Sequence, residues 1–286
     1  MKIGVMVESF RKGFKGGVDM AAAIGAQGIQ AYATGGELGV DTATDASLKE
    51  ALDYVHSKGL VFSAICGDFG VGFMDPEKNK IYVEKSMRVL DLAKKLECNV
   101  VTTHIGTVPD HECERKEIMR KACRTLAEYA DSIGSAFAVE TGPEKGQVLA
   151  EFLDSLGAGG VRVNFDPANL VMVAGDRPEN ALKYLGKYVV HTHAKDGIKL
   201  KGAYEGDLAV SPQAKDHQDM INMGRTYLEL PLGQGDVDFD IYLPALRASG
   251  FNGFLTIERE VGNKPEEDIA LAADFLREKI AKFNLV

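Results

Sequence analysis

Eight short apolar runs recur along the chain, each followed by a stretch with helical spacing. The runs are Ile3–Val7, Gly28–Tyr32, Leu60–Ile65, Val100–Thr103, Ala136–Val139, Val161–Phe165, Tyr188–Thr192 and Phe254–Ile257. Short runs rich in Val, Ile and Phe read as parallel strands buried on both faces. The helical stretches begin with Gly16–Ala26 and a second helix, capped by Asp45 or Ser47, that runs to Lys58. Glu77–Leu96, Cys113–Ile133, Gln147–Leu156, Pro178–Leu185, Phe239–Ala248 and Glu266–Phe283 follow. In Glu77–Leu96, the positions of Ile81, Met87, Val89, Leu92 and Leu96 fit helical spacing. Gly59 suits the residue after the second helix, and Asp236 or Asp238 suits the cap of the seventh. No linker or low-complexity segment breaks the alternation. It predicts an α/β fold, a single-domain (β/α)₈ TIM barrel over residues 1–286, rather than a doubly wound sheet. The length suits a barrel of about 250 residues with insertions.

The last four runs end on Glu140, Asp166, His193 and Glu258. In a barrel of this type the chemistry sits at the C-terminal ends of the strands. Strands five to eight are consecutive neighbours, so the four side chains converge on one side of the mouth. Three carboxylates and an imidazole form a mixed oxygen and nitrogen donor set. It suits one divalent cation among Mn²⁺, Mg²⁺, Co²⁺ and Zn²⁺, and the absence of Cys speaks against a structural zinc site. Singly, each residue has a plainer reading. Asp166 precedes Pro167 and suits a helix cap; His193 alone suits a hydrogen-bonded core histidine. The plainer readings do not account for four such endings together.

The formal net charge is -9. That argues against nucleic acid as the main partner, because phosphate binding needs a basic surface. The four cysteines, Cys66, Cys98, Cys113 and Cys123, form no CxxC pair and read as reduced packing thiols of a cytoplasmic protein. The opening MKIGVMVESF turns polar too soon for a signal peptide. No apolar run is long enough for a membrane span.

The segments FAVETG, VNFDPANL, VVHTHAKDG, LGQGDVDF and FLTIERE resemble the sugar phosphate isomerase/epimerase superfamily, the xylose isomerase-like barrels. That group includes tagatose 3-epimerase-like enzymes, hydroxypyruvate isomerase, inosose dehydratase and endonuclease IV. The resemblance implies a Glu, Asp, His, Glu set holding one divalent metal, often Mn²⁺, and by motif these are Glu140, Asp166, His193 and Glu258. The chain departs from the 3-epimerases at two positions. Asn169 stands where they carry His, and Lys199 where they carry Arg. Both are taken as substrate-binding positions.

The donor set suggests a metal-dependent isomerase or epimerase acting on a sugar or sugar phosphate. A ketose chelates the cation through its carbonyl and a neighbouring hydroxyl, and the cation stabilises the enediolate formed on proton loss. Glu140 and Glu258, as catalytic bases on opposite sides, would remove and return that proton. An inosose dehydratase-like lyase, using the same metal to eliminate water, is the alternative.

Glu8 and His104 end the first and fourth strands and are candidates for substrate contact. His191 lies two residues before His193, so it shares that face of the strand and can support the metal from below. Lys195 and Asp196 either pair with each other or position substrate. His56 reads as a solvated helix residue. Lys199, Lys201, Arg259 and Lys264 fall in the loops where barrels often bind phosphate. The GQG at Gly233–Gly235 lacks the spacing of a dinucleotide fingerprint and reads as a turn. The polar insertion from Gly197 to Gly235 contains Tyr204, Met220, Met223 and Tyr227. It is expected to cover the site or to join the interface of a homo-oligomer, a dimer or tetramer, with a small carbohydrate as the other partner.

Overall fold

The computed structural model describes residues 1–202 and 209–285. Tyr204 lies outside them. Eight parallel strands close into a barrel in which chain neighbours pair and the last strand pairs with the first. They are β1 (Lys2–Met6), β2 (Gly28–Tyr32), β3 (Val61–Cys66), β4 (Val100–Thr103), β5 (Ala136–Glu140), β6 (Val161–Phe165), β7 (Val189–Ala194) and β10 (Phe254–Ile257). The helices packed around them are α1 (Gly13–Ala23), α2 (Asp45–Ser57), α3 (Pro76–Lys95), α4 (Glu114–Ser132), α5 (Gly146–Asp154), α7 (Pro178–Leu185), α9 (Phe239–Ala248) and α10 (Pro265–Lys282). A single turn, α6 (Pro167–Asn169), follows β6 directly. No helix among the described residues is long and apolar enough to cross a membrane.

The strands are buried on both faces, as their composition requires. Their outer faces pack under helices such as α4, where Met119, Cys123, Leu126, Ala127 and Ala130 form one buried stripe. Each large side chain in that shell contributes about 1.5–3 kcal/mol of burial. The start of the first helix and the cap of the second differ from expectation. The first helix begins at Gly13, after a tight turn at Val7–Phe10. The cap of α2 is Thr44 rather than Asp45 or Ser47, and its hydroxyl accepts from the Ser47 amide. Ser47 Oγ accepts in return from the Thr44 amide at 2.9 Å, so one residue pair satisfies two otherwise orphaned donors. Asp238 caps α9 as expected.

The insertion after β7 carries its own small layer. Strand β8 (Asp196–Lys199) runs antiparallel to β9 (Tyr227–Leu230), and a short helix α8 (Gln218–Asn222) lies between them in the chain. Ile198, Leu200 and Ala214 are buried there, with Met220, Ile221 and Leu228 packed against them. Met223 stays 76% exposed and takes no part. The anchor of this layer is Asp196, which does not pair with Lys195. Its carboxylate accepts from the amides of Gly197 (2.8 Å), Gly233 (2.9 Å), Gly235 (2.9 Å) and Val237 (3.1 Å). The GQG turn is therefore a cradle for a buried carboxylate. A Cβ on Gly235 would stand 2.1 Å from Asp196 Oδ1, so only glycine allows the backbone to close.

Candidate functional site

The rim of strands β5, β6, β7 and β10 brings Glu140, Asp166, His193 and Glu258 together, with one donor atom from each within 4.8 Å of all the others. All four are buried. His193 Nδ1 is the hub, 3.5 Å from Glu140 Oε1, 3.6 Å from Asp166 Oδ2 and 3.3 Å from Glu258 Oε2. Asp166 fulfils both of its sequence readings, one with each oxygen. Oδ1 accepts from the amides of Ala168 and Asn169 and caps α6. Oδ2 faces the cluster and, with His193 Nδ1, has no hydrogen-bond partner among the described residues.

Buried polar atoms are seldom left unpaired. Here both aim at the same point. The other ring nitrogen of His193, Nε2, lies 3.1 Å from Gln30 Oε1. Gln30 is oriented by donating its own amide to Thr102 Oγ1 at 3.0 Å. A proton on Nε2 serves that contact and turns the lone pair of Nδ1 toward three carboxylates. Such an arrangement is repulsive alone and favourable around a cation. Burial works against a charged His193, but Glu258 and Glu140 press harder in the opposite direction. The cluster thus asks for positive charge at its centre, and a divalent cation fits the donor set.

Beneath the rim lies a second polar layer. Asn164, His191 and Thr256 each stand two residues before a rim residue and so share its face of the strand. His191 Nδ1 lies 2.9 Å from Asn164 Oδ1, and His191 Nε2 lies 2.9 Å from Thr256 Oγ1. Asn164 Nδ2 donates upward to Glu140 Oε2 at 3.2 Å. Burial, reinforced by His193, holds the pKa of His191 well below the usual imidazole value. His191 therefore belongs to the supporting layer.

The two glutamates are held differently. Glu140 Oε1 accepts from Asn169 Nδ2 at 3.0 Å and lies 3.6 Å from His104 Nε2. Glu258 Oε2 accepts from Lys195 Nζ at 2.9 Å. Lys195 also meets Glu260, an exposed residue that no sequence signal singled out. Burial disfavours the charge of Glu258, but His193 and Lys195 outweigh it and hold the carboxyl well below its usual range. Glu140 first, then Asp68 at 2.8 Å from Nδ1, push the pKa of His104 up to about 9.

Glu140, Asn169, His104, Glu258, Lys195 and Glu260 line a cavity of about 250 Å³ together with Gln30, Tyr32, Cys66, Asp68 and Tyr227. Tyr227 comes from the insertion, which thereby borders the site. Burial pushes the Cys66 thiol up to about 12, so it stays a neutral lining group. Glu8 stands outside this cavity, accepting from the Tyr32 amide at 3.0 Å. Lys199 is buried in β8, and neither it nor Lys201 is among the cavity's lining residues. Arg259 is held by Glu229 at 2.6 Å and by Asp268 at 2.9 Å; Lys264 pairs with Glu267. His56 is exposed, with Glu97 3.7 Å away.

Sequence reasoning missed Gln30, Asp68, Asn164 and Thr256. The period of two that singled out His191 could also have found Asn164 and Thr256. Gln30 carried a signal as the one amide inside the apolar run GIQAY. Asp68 lies in a loop and left no pattern.

The family model for the xylose isomerase-like TIM barrel matches residues 18–279. Among solved structures, a xylose isomerase domain protein from Planctomyces limnophilus superposes with a TM-score of 0.79 at 24% identity, over 98% of this chain and 97% of that one. A probable 3-DHS dehydratase from Bacillus anthracis gives 0.73 at 18%, over 97% and 99%. D-psicose 3-epimerase with D-tagatose, from Clostridium cellulolyticum H10, gives 0.73 at 16%, over 98% and 99%. No curated protein matches the chain by sequence.

Proposed function

The chain belongs to the xylose isomerase-like TIM barrel family, and from that premise we propose that it is a metal-dependent isomerase or epimerase of a keto sugar. The observation that carries the reading is the meeting of four buried donors around the unpaired His193 Nδ1 and Asp166 Oδ2. Glu140, Asp166, His193 and Glu258 would hold one divalent cation, with Mn²⁺ first among the candidates. When bound, such a cation supplies charge stabilisation at a substrate oxygen as the neighbouring carbon loses its proton.

The remaining steps fall to side chains. Glu140 and Glu258 enter from different strands, and each carboxylate would move a proton at carbon. Asn169 orients Glu140 from one side. Lys195 keeps Glu258 ionised and therefore able to accept a proton. His104, held protonated at neutral pH, presents a charged donor to a substrate oxygen beside Glu140. Proton return to the opposite face of the same carbon gives epimerisation, and return to the adjacent carbon gives aldose–ketose isomerisation.

The test is incubation of the Mn²⁺-loaded protein with D-psicose, D-tagatose and D-fructose in D₂O. Solvent deuterium on carbon without loss of water supports the reading. Loss of water identifies a dehydration instead. Absence of deuterium from every ketose, with the cation bound, overturns it.

A further inference from the structure

Tyr32 is shared by the cavity at the rim and two neighbouring spaces, three in all. The first is the cavity of about 250 Å³ over Glu140 and Glu258. The second, about 220 Å³, runs past Met6 and Glu260 to Glu8 and Arg11. The third, about 490 Å³, is a groove between the start of α1 and the 34–38 loop, bordered by Phe14, Leu38, Thr34 and Glu37. Small-molecule sites occupy roughly 300–1,000 Å³. The first space alone falls below that range, whereas the third lies inside it.

Glu8, Arg11 and Tyr32 line both of the outer spaces. Arg11 adopts a left-handed backbone (φ 57°), unusual for a residue with a side chain. Its guanidinium donates to the carbonyls of Gly262 (3.0 Å) and Glu260 (2.9 Å), tying the loop after β1 to the loop after β10. The two carbonyls fix the guanidinium in place and leave its charge. The carboxylates of Glu8, Glu37, Glu258 and Glu260 outnumber the guanidiniums of Arg11 and Arg259 around these two spaces. An anionic group would meet repulsion there. Hydroxyls would meet carboxylate acceptors, and Phe14 and Leu38 add apolar lining.

We propose that the groove beyond Tyr32 is a second subsite, and that the substrate is an uncharged keto sugar extended by a second, neutral group of sugar-ring size. The proposal rests on the keto-sugar reading of the rim. It adds that the reacting unit occupies the first space while its extension, joined at a carbon remote from the carbonyl, lies in the groove.

Gly35 supplies the test. It borders the groove with extended backbone (φ -173°), and an added Cβ would meet no atom within 4 Å. Gly35→Phe therefore places bulk beside the groove without backbone strain. The probes are D-fructose, isomaltulose (a fructose carrying glucose on its sixth oxygen) and fructose 6-phosphate. Each is titrated calorimetrically into Mn²⁺-loaded wild type, Gly35→Phe and Glu37→Arg. Isomaltulose is expected to bind wild type at least tenfold more tightly than D-fructose, and fructose 6-phosphate no more tightly. Gly35→Phe removes the isomaltulose advantage. Glu37→Arg, a change at an exposed position, gives fructose 6-phosphate an advantage instead. Isomaltulose binding no tighter than D-fructose, or not at all, overturns the proposal. So does an advantage that survives Gly35→Phe, or a phosphate that gains as much as the glucosyl group. These ratios stand apart from the deuterium test. Failure of exchange overturns the reaction and leaves the groove, whereas flat ratios remove the groove and leave the reaction.

Discussion

The ammonium of Lys195 stands 2.9 Å from Oε2 of Glu258, and both side chains are buried. The lysine thereby places a fixed positive charge beside a carboxylate that also faces His193. Removing one partner of a buried ion pair strands the other and costs roughly 3–5 kcal/mol. Lys195→Met keeps the length of the side chain and removes its charge. In EDTA the variant is expected to lose stability of that order in urea unfolding. Added Mn²⁺ should recover part of the loss, because a cation on the other side of Glu258 replaces the missing charge. Equal stability of variant and wild type in EDTA would show that the pair contributes nothing.

The convergence of donors at His193 Nδ1 predicts about one divalent cation per chain, measured by elemental analysis of purified protein. The cation should also raise thermal stability. At a free concentration one hundred times its dissociation constant, the gain is about 2.7 kcal/mol. An Asp166→Ala, His193→Ala double variant should lose both the occupancy and the thermal shift. Full occupancy in that variant would place the metal elsewhere or nowhere.

Four backbone amides depend on Asp196, so its removal strands donors at Gly197, Gly233, Gly235 and Val237. Each buried donor left unsatisfied costs about 1–3 kcal/mol. Asp196→Ala is expected to be among the most destabilising single changes outside the apolar core. Gly235→Ala should act in the same direction through the clash at Oδ1. Chemical denaturation of both variants checks this, and a loss under about 1 kcal/mol in either would contradict the cradle.

The barrel and the four rim residues were legible because one rule serves both. A strand buried on both faces is written as an uninterrupted apolar run, and Glu140, Asp166, His193 and Glu258 stand out where such runs stop. The supporting layer was harder to read. Thr256 looks like an ordinary strand residue, and Gln30 interrupts GIQAY without announcing a partner 163 positions away at His193. The β8–β9 hairpin escaped for another reason. Its strands have four residues each, and its small core draws on Ala214, Met220 and Ile221 between them. A polar sequence with scattered apolar residues shows neither period clearly. The pairing of Lys195 with Glu258, rather than with its neighbour Asp196, follows from the barrel closing β7 against β10.

Glu144 gives a pH dependence with a defined sign. Its buried carboxyl, in the loop after β5, accepts from the Val108 amide at 3.2 Å, and burial pushes its pKa up to about 7 from 4.5. Between those values the folded chain keeps a proton that the unfolded chain has released. Stability from this group is therefore fully present below about pH 4.5, is lost as pH rises toward 7, and changes no further above it. The loss is on the order of 3 kcal/mol. Glu144→Gln cannot titrate and should flatten that part of the curve, leaving the variant the more stable form above pH 7. Urea unfolding from pH 4.5 to 8 is the measurement. An identical slope in both proteins would assign the effect to another group.

The last prediction separates the two glutamates. Glu→Gln keeps the size and one ligating oxygen but removes the ionisable carboxylate. Glu140→Gln and Glu258→Gln should therefore retain measurable metal while turnover falls by roughly 10²–10⁴-fold, the usual contribution of general acid–base catalysis. Their surroundings make the two losses unequal in kind. Glu258 is fixed by Lys195, whereas Glu140 is bordered by Asn169 and His104. With one base for each face of the sugar, each variant should block deuterium wash-in from one epimer and partly spare it in the other. A single-base mechanism predicts instead that one of the two variants abolishes exchange from every substrate. Near-normal turnover in both metal-loaded variants would transfer the proton chemistry to another group, with His104 the nearest candidate. Metal occupancy is measured on the same samples, so that loss of the cation is not mistaken for loss of the base.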